Sequence, residues 1–252
     1  MVGKMLVRGM LSGVAAGVVA VVFATLLAEG EIGRAIAFEE ASQAASGAAP
    51  EPVVVGRFVQ ATIGLATALV VLGVAFGGAL SMAYATVQGR LGKLGARATA
   101  ALVALGGFIG VHLLPSFKYP ANPPAIGDPA TLDERTLLYA AMVVISLLVV
   151  IAGSMMARRL TPRTGGWNAA LLASGAGLTV LVSVSLALPS MQEAPTGFPA
   201  DVLWHFRVAS LAVQASMWAT IGLLFGALTE RNLQYDARTP ALEAPAAAAA
   251  GG

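Results

Sequence analysis

Long apolar runs separated by short polar connections set the pattern of this chain. Six runs are long enough to cross a hydrocarbon core, which takes about 20 residues at helical rise. They lie near 6–28, 60–82, 98–115, 136–157, 167–188 and 208–228. Lys4 and Arg8 precede the first run, as they would in a signal peptide. The run from Gly9 to Ala28 is nonetheless longer than the roughly 7–15 residues of a secretory apolar region, and no clear A-x-A site closes it. A retained transmembrane helix is the expectation. The expected fold class is an all-α integral membrane protein: a compact bundle of about six transmembrane helices over 1–230. A low-complexity tail over 231–252 is expected to be disordered.

The connections carry the punctuation. Between the third and fourth runs lies FIGVHLLPSFKYPANPPAIGDPATLDERT, with Pro115, Pro120, Pro123, Pro124 and Pro129. Proline lacks a backbone donor and clashes with the preceding turn, so no helix is expected to continue through this segment. The chain should leave the apolar phase near Pro115 and return after Arg135. The first long connection, about 29–56, is acidic at its start and small-residue-rich at its end, which predicts a short amphipathic helix followed by a flexible linker. Within the runs, glycines recur four apart: Gly9, Gly13 and Gly17, then Gly73 and Gly77, Gly106 and Gly110, Gly222 and Gly226. Such stripes let helix backbones approach closely, which favours compact packing.

Composition agrees with the pattern. Hydrophobic residues make up 57% of the chain and charged residues 11%, with a mean hydropathy of +0.79. With the N-terminus inside, ten basic residues fall on the cytoplasmic side and five outside. That is the positive-inside bias, and it places both termini in the cytoplasm. Ten of the thirteen acidic residues then fall outside. The net charge of +2 therefore reflects loop bias, and nucleic acid is not an expected partner. The absence of cysteine excludes disulfides, thiolate metal sites and a cysteine nucleophile. GRLGKLG lacks the spacing and hydroxyl residue of a phosphate-binding loop, and neither H-E-x-x-H nor G-x-S-x-G occurs, so no enzyme activity is expected.

Candidate chemistry gathers in the external connections. His112, about one turn before the end of the third run, is a candidate metal ligand or proton acceptor, or else an interfacial histidine bonded to a carbonyl. Asn122, Asp128, Asp133 and Glu134 offer oxygen ligands to a hard or borderline cation. They equally suit turns, and Thr131 with Glu134 suits a capping box. Glu29, Glu31, Glu39 and Glu40 form either a cation-focusing mouth or a solvated loop face. His205 is expected at the level of His112, either as a second imidazole ligand or as an interface residue beside Trp204, which fits an aromatic belt. Gln214 and Gln60 line a path or bond between helices. Met82, Met142 and Met217 read as soft ligands or as packing.

HLLPSFKYPANPPAIGDPATLDERTLLY, AEGEIGRAIAFEEA and PADVLWHFRVASLAVQASMWATIGLLFG together resemble the CbtA-type cobalt transporter subunit family over about residues 4–231. His112, Pro115, Pro120, Asn122, Pro123, Pro124, Gly127, Arg135, Trp204, Arg207 and Gln214 fall on that family's pattern. The resemblance implies a multi-pass protein of the bacterial cytoplasmic membrane that moves Co2+ for cobalamin synthesis, with no permanently bound cofactor. It implies a small single-span, histidine-rich partner subunit beside membrane lipid, and a homo-oligomer is compatible with it. A non-transporting scaffold or assembly subunit, or a permease for a small organic solute, are the competing expectations.

Overall fold

The computed structural model describes residues 2–47, 55–92, 94–124, 126–127, 129–191 and 194–250, with side chains as far as Tyr235 except at Pro129. Among these residues all regular structure is helical. Helix α1 is Val2–Leu27, α2 is Glu29–Ser46, α3 is Arg57–Val87, α4 is Ala96–Lys118 and α5 is Leu132–Ala187. Helix α6 is Ala200–Ala250, its backbone helical into the expected tail.

Five of these helices are long and apolar enough to cross a membrane, and one of the five is two spans in sequence. A straight helix of 56 residues would reach about 84 Å at 1.5 Å per residue, far more than a hydrocarbon core of about 30 Å. Gly165 breaks it, with φ 78° and ψ 158°. Pro162, three residues earlier, removes a helical donor, and Asn168 Nδ2 donates to the Thr164 carbonyl at 3.1 Å. The two halves fold back on each other. A Cβ on Gly177 would sit 3.1 Å from Val149, and one on Gly153 would sit 3.9 Å from the Ala173 carbonyl, the register of an antiparallel pair. The described residues thus hold five to six long apolar helices, compatible with the expected bundle of about six.

Apolar side chains also face outward in helical stripes. On α5, Leu137, Val144, Leu148, Ile151 and Met155 are all more than half exposed and share a single face. Water would penalise such a face, and lipid accepts it. The chain is a multi-pass membrane protein.

It divides into two compact units. The first comprises residues 1–21, 64–105 and 216–252. There α1 lies against α3, glycine on glycine: a Cβ on Gly9 or Gly13 would overlap the Gly77 or Gly73 carbonyl, and one on Gly17 would come within 2.6 Å of Val70 Cα. Gly222 fits against Ala104 in the same way, and Gly226 against Arg97 and Ala100. Tyr84 packs edge-on to Phe225, Trp218 stacks on Phe76, and Arg97 pairs with Glu230.

The second unit comprises residues 22–63 and 106–215. It holds α2, which runs further than expected. Ala41 to Ser46 are helical, not linker, and the helix ends at Gly47 in the left-handed conformation. Residues 48–54 of that connection lie outside the described residues. In α4 and α5, Gly110 fits against Leu147 and Gly106 lies near Val150.

The expectation that helix stops near Pro115 is corrected. The chain makes one π-helical turn over Ile109–Leu113, the Leu114 N–H donating to the Ile109 carbonyl, and then continues helically as Leu114–Lys118. The wider π turn relieves the clash between the proline ring and the carbonyl four residues before it, that of Val111. That carbonyl receives the Tyr139 hydroxyl at 3.2 Å, in place of the amide Pro115 lacks.

Candidate functional site

The π turn carries His112 into the wall of a cavity of about 590 Å3. The cavity lies wholly within the second unit. It is bounded by the end of α4, the first turns of α5 and α6, and the start of the proline-rich connection. Its polar lining residues are His112, Arg207, Gln214, Ser116 and Ser210. Around these lie the rings of Phe117, Tyr119, Tyr139 and Trp204. Arg207 and Gln214 are seven residues apart on α6 and so share a helix face. Gln214 Oε1 is buried and receives no hydrogen bond among the described residues.

The proline-rich connection is held over this cavity by two arginines. Arg207 donates through Nη2 to Asn122 Oδ1 at 2.9 Å and through Nε to the Ala121 carbonyl at 3.3 Å. Arg135 lies against Gly127, where φ is 116° and a Cβ would come within 3.0 Å of the guanidinium carbon. Pro115 and Pro123 are buried, Pro120 lines the cavity and Pro124 is exposed. The segment is tied to the next connection by Lys118, which donates to the Leu188 carbonyl and Ser190 Oγ. The Tyr119 hydroxyl, which donates to the Pro189 carbonyl at 2.9 Å, is a second tie. Burial first, and then the Glu134 carboxylate, raise the Tyr119 phenol above its ordinary value, so it stays a neutral donor.

The acidic residues are placed elsewhere. Glu29 pairs with Arg57, and Glu31 with Arg34 at 3.0 Å. Arg34 also reaches Asp201 at 2.5 Å, and this hydrogen bond is the main cause that holds its guanidinium above the ordinary value. His205 Nδ1 lies 3.8 Å from Glu31, so His205 belongs to this exposed network and is not a lining residue of the cavity. Glu39 lies 3.4 Å from the Gln43 amide nitrogen, and Glu40 is exposed. Asp133 and Glu134 are exposed in the first turn of α5, where carboxylates complement the helix dipole. Thr131 makes no side-chain cap, so the capping box does not form. Asp128 lies outside the described residues. Among those described, no group of three or more histidine and carboxylate side chains is gathered as a metal site.

Sequence reasoning missed Tyr119, Tyr139, Ser116 and Ser210. The available signal was helical phase: Tyr139 follows Arg135 by one turn, and Ser210 lies between Arg207 and Gln214 on one face.

A family model described as a probable cobalt transporter subunit, CbtA, matches residues 2–230. The chain belongs to the CbtA family. Membership covers both compact units and every element around the cavity. The word subunit implies a partner within a transporter complex. No curated protein and no solved structure matches the chain.

Proposed function

We propose that this CbtA-family chain is the multi-pass subunit of a divalent-cation transporter in the bacterial cytoplasmic membrane. Cobalt is its cargo, destined for cobalamin synthesis, and the chain catalyses no covalent step. Both termini lie in the cytoplasm, so the proline-rich connection and α2 face outward. The observation that carries the reading is His112 on the cavity wall, within a chain that matches the family almost end to end. Imidazole is a favoured ligand of borderline ions such as Co2+. His112 exchanges for part of the ion's hydration, and Asn122, which accepts from Arg207, exchanges for another part. His205 and the carboxylates Glu29, Glu31, Glu39, Glu40, Asp128, Asp133 and Glu134 act in the approach, by electrostatic focusing. Few fixed ligands bind an ion weakly, which suits release as well as capture. A small single-span, histidine-rich partner supplies further ligands.

Accumulation of cobalt, nickel and zinc in cells expressing the chain, with and without such a partner, tests this. Cobalt uptake is expected to rise over controls and to fall at least fivefold in His112→Ala at equal membrane abundance. Equal accumulation with and without the wild-type chain would overturn the transport reading and favour a scaffold or assembly subunit. Arg207 in the same wall favours a second reading, a permease for an organic anion; it requires uptake of the anion without metal.

A further inference from the structure

Where α5 folds back on itself, its two halves leave a groove between them, and the link that joins them is basic. We infer that this hairpin holds one anionic phospholipid, an acyl chain in the groove and the phosphate at the arginines of the link. The site lies wholly within the second unit and shares no lining residue with the cavity at His112. It does not depend on the transport reading.

The groove has a volume of about 350 Å3. Small residues make the room: Gly153 and Ala157 on the first half of α5, Ala170, Ala173 and Gly177 on the second. Val149, Val150, Leu178 and Leu181 are the larger apolar residues of its lining. Ser154 also lines it, but its hydroxyl donates to the Ile151 carbonyl at 2.7 Å and is satisfied within its own helix. Ser154, Ala170 and Ser174 are exposed, so the groove opens outward, and a lining of this kind is best covered by hydrocarbon. Its length separates one lipid from a spanning helix. It covers Val149 to Ala157 on one half, about 12 Å at helical rise, and Ala170 to Leu181 on the other, about 16 Å. One leaflet of a hydrocarbon core of about 30 Å is about 15 Å thick, which matches an acyl chain. A transmembrane helix of another subunit would need a groove about twice as long.

Charge selects the lipid. Ala157 and Ala170 are joined by RRLTPRTGGWNA, which holds three arginines and no carboxylate. The acidic residues of α5, Asp133 and Glu134, lie in its first turn, about 36 Å of helix from Arg158. Arg159 and Arg163 are exposed and make no ion pair among the described residues. Guanidinium groups match phosphate oxygens, and basic positions between membrane helices attract anionic headgroups. Trp167, in the same link, is exposed and suits the headgroup level.

Native mass spectrometry of the purified full-length chain, titrated in detergent with phosphatidylglycerol or with phosphatidylcholine of the same acyl chains, counts bound lipid. One phosphatidylglycerol per chain is expected to bind at least about fivefold more tightly than phosphatidylcholine. Arg159→Gln/Arg163→Gln should remove that preference. Ser174→Leu, which places a larger side chain in the groove, should weaken phosphatidylglycerol at least about threefold. Ser183→Leu, on the same half of α5 but outside the lining, should leave it within about twofold. The arginine and groove variants each decide the matter if the other does not fold. Equal binding of the two lipids, an unchanged preference in the arginine variant, or equal binding by the Ser174 and Ser183 variants would each overturn the inference. Glycerol phosphate that displaces the lipid as well as phosphatidylglycerol does would overturn it in favour of a free-phosphate site. A second chain retained in place of lipid, and lost in Ser174→Leu, would overturn it in favour of a protein interface.

Discussion

Arg207 and Arg135 show how single residues hold a connection that has no regular structure of its own. Each reaches back from a helix into the proline-rich segment, one to the Asn122 amide and the Ala121 carbonyl, the other beneath Gly127. Gly127→Ala faces two penalties at once, a positive φ and overlap with the Arg135 guanidinium. It should destabilise the fold by about 1–3 kcal/mol. Thermal unfolding in detergent checks this, with Gly33→Ala on α2 as the contrast. Gly33 is a helix-interior glycine with open space around its Cβ position, and alanine there should stabilise by about 0.5–1 kcal/mol. The sequence pointed to most of these positions, because proline and glycine in a polar stretch are conspicuous. It could not show that Arg207 serves Asn122, since the two are 85 residues apart. Nor could it mark Tyr139, which in an apolar run reads as packing until the fold brings its hydroxyl to the Val111 carbonyl.

Helices and their contacts were largely readable from periodicity, and the exceptions share one cause. Periodicity reports the average phase of a helix, not a local change in its winding. The glycine stripes of α1 and α3 do meet, so Gly13→Leu should force the backbones apart and cost about 3 kcal/mol, seen as loss of monodisperse folded protein. The π turn before Pro115 was not readable, because proline by rule ends a helix and the compensation comes from α5. Tyr139→Phe, which removes a donor from the Val111 carbonyl, should cost about 1 kcal/mol. In Pro115→Ala a backbone amide becomes available to that carbonyl, so the same tyrosine change should cost less. A double-mutant cycle on thermal stability measures the coupling.

For the whole molecule, the hydropathy pattern yielded six crossings, and Gly165 is the residue that makes the fourth and fifth separate. An even number of crossings returns the chain to the side it started from. Reporter fusions after residue 165 and at the C-terminus should therefore both read cytoplasmic, and one within 120–125 should read external. A C-terminal reporter on the outer side would refute the orientation drawn from the basic residues. What composition could not reveal at this scale is which polar groups share a cavity, since that depends on how far each helix is rotated about its axis. The π turn at Ile109–Leu113 is a device of that kind. One residue more than an α-helical turn needs advances everything beyond it by about 100°. Deleting Val111 would thus act as a rotation: chemistry and length change little, but Ser116, Phe117 and Tyr119 would be turned away from the faces they now present to the cavity.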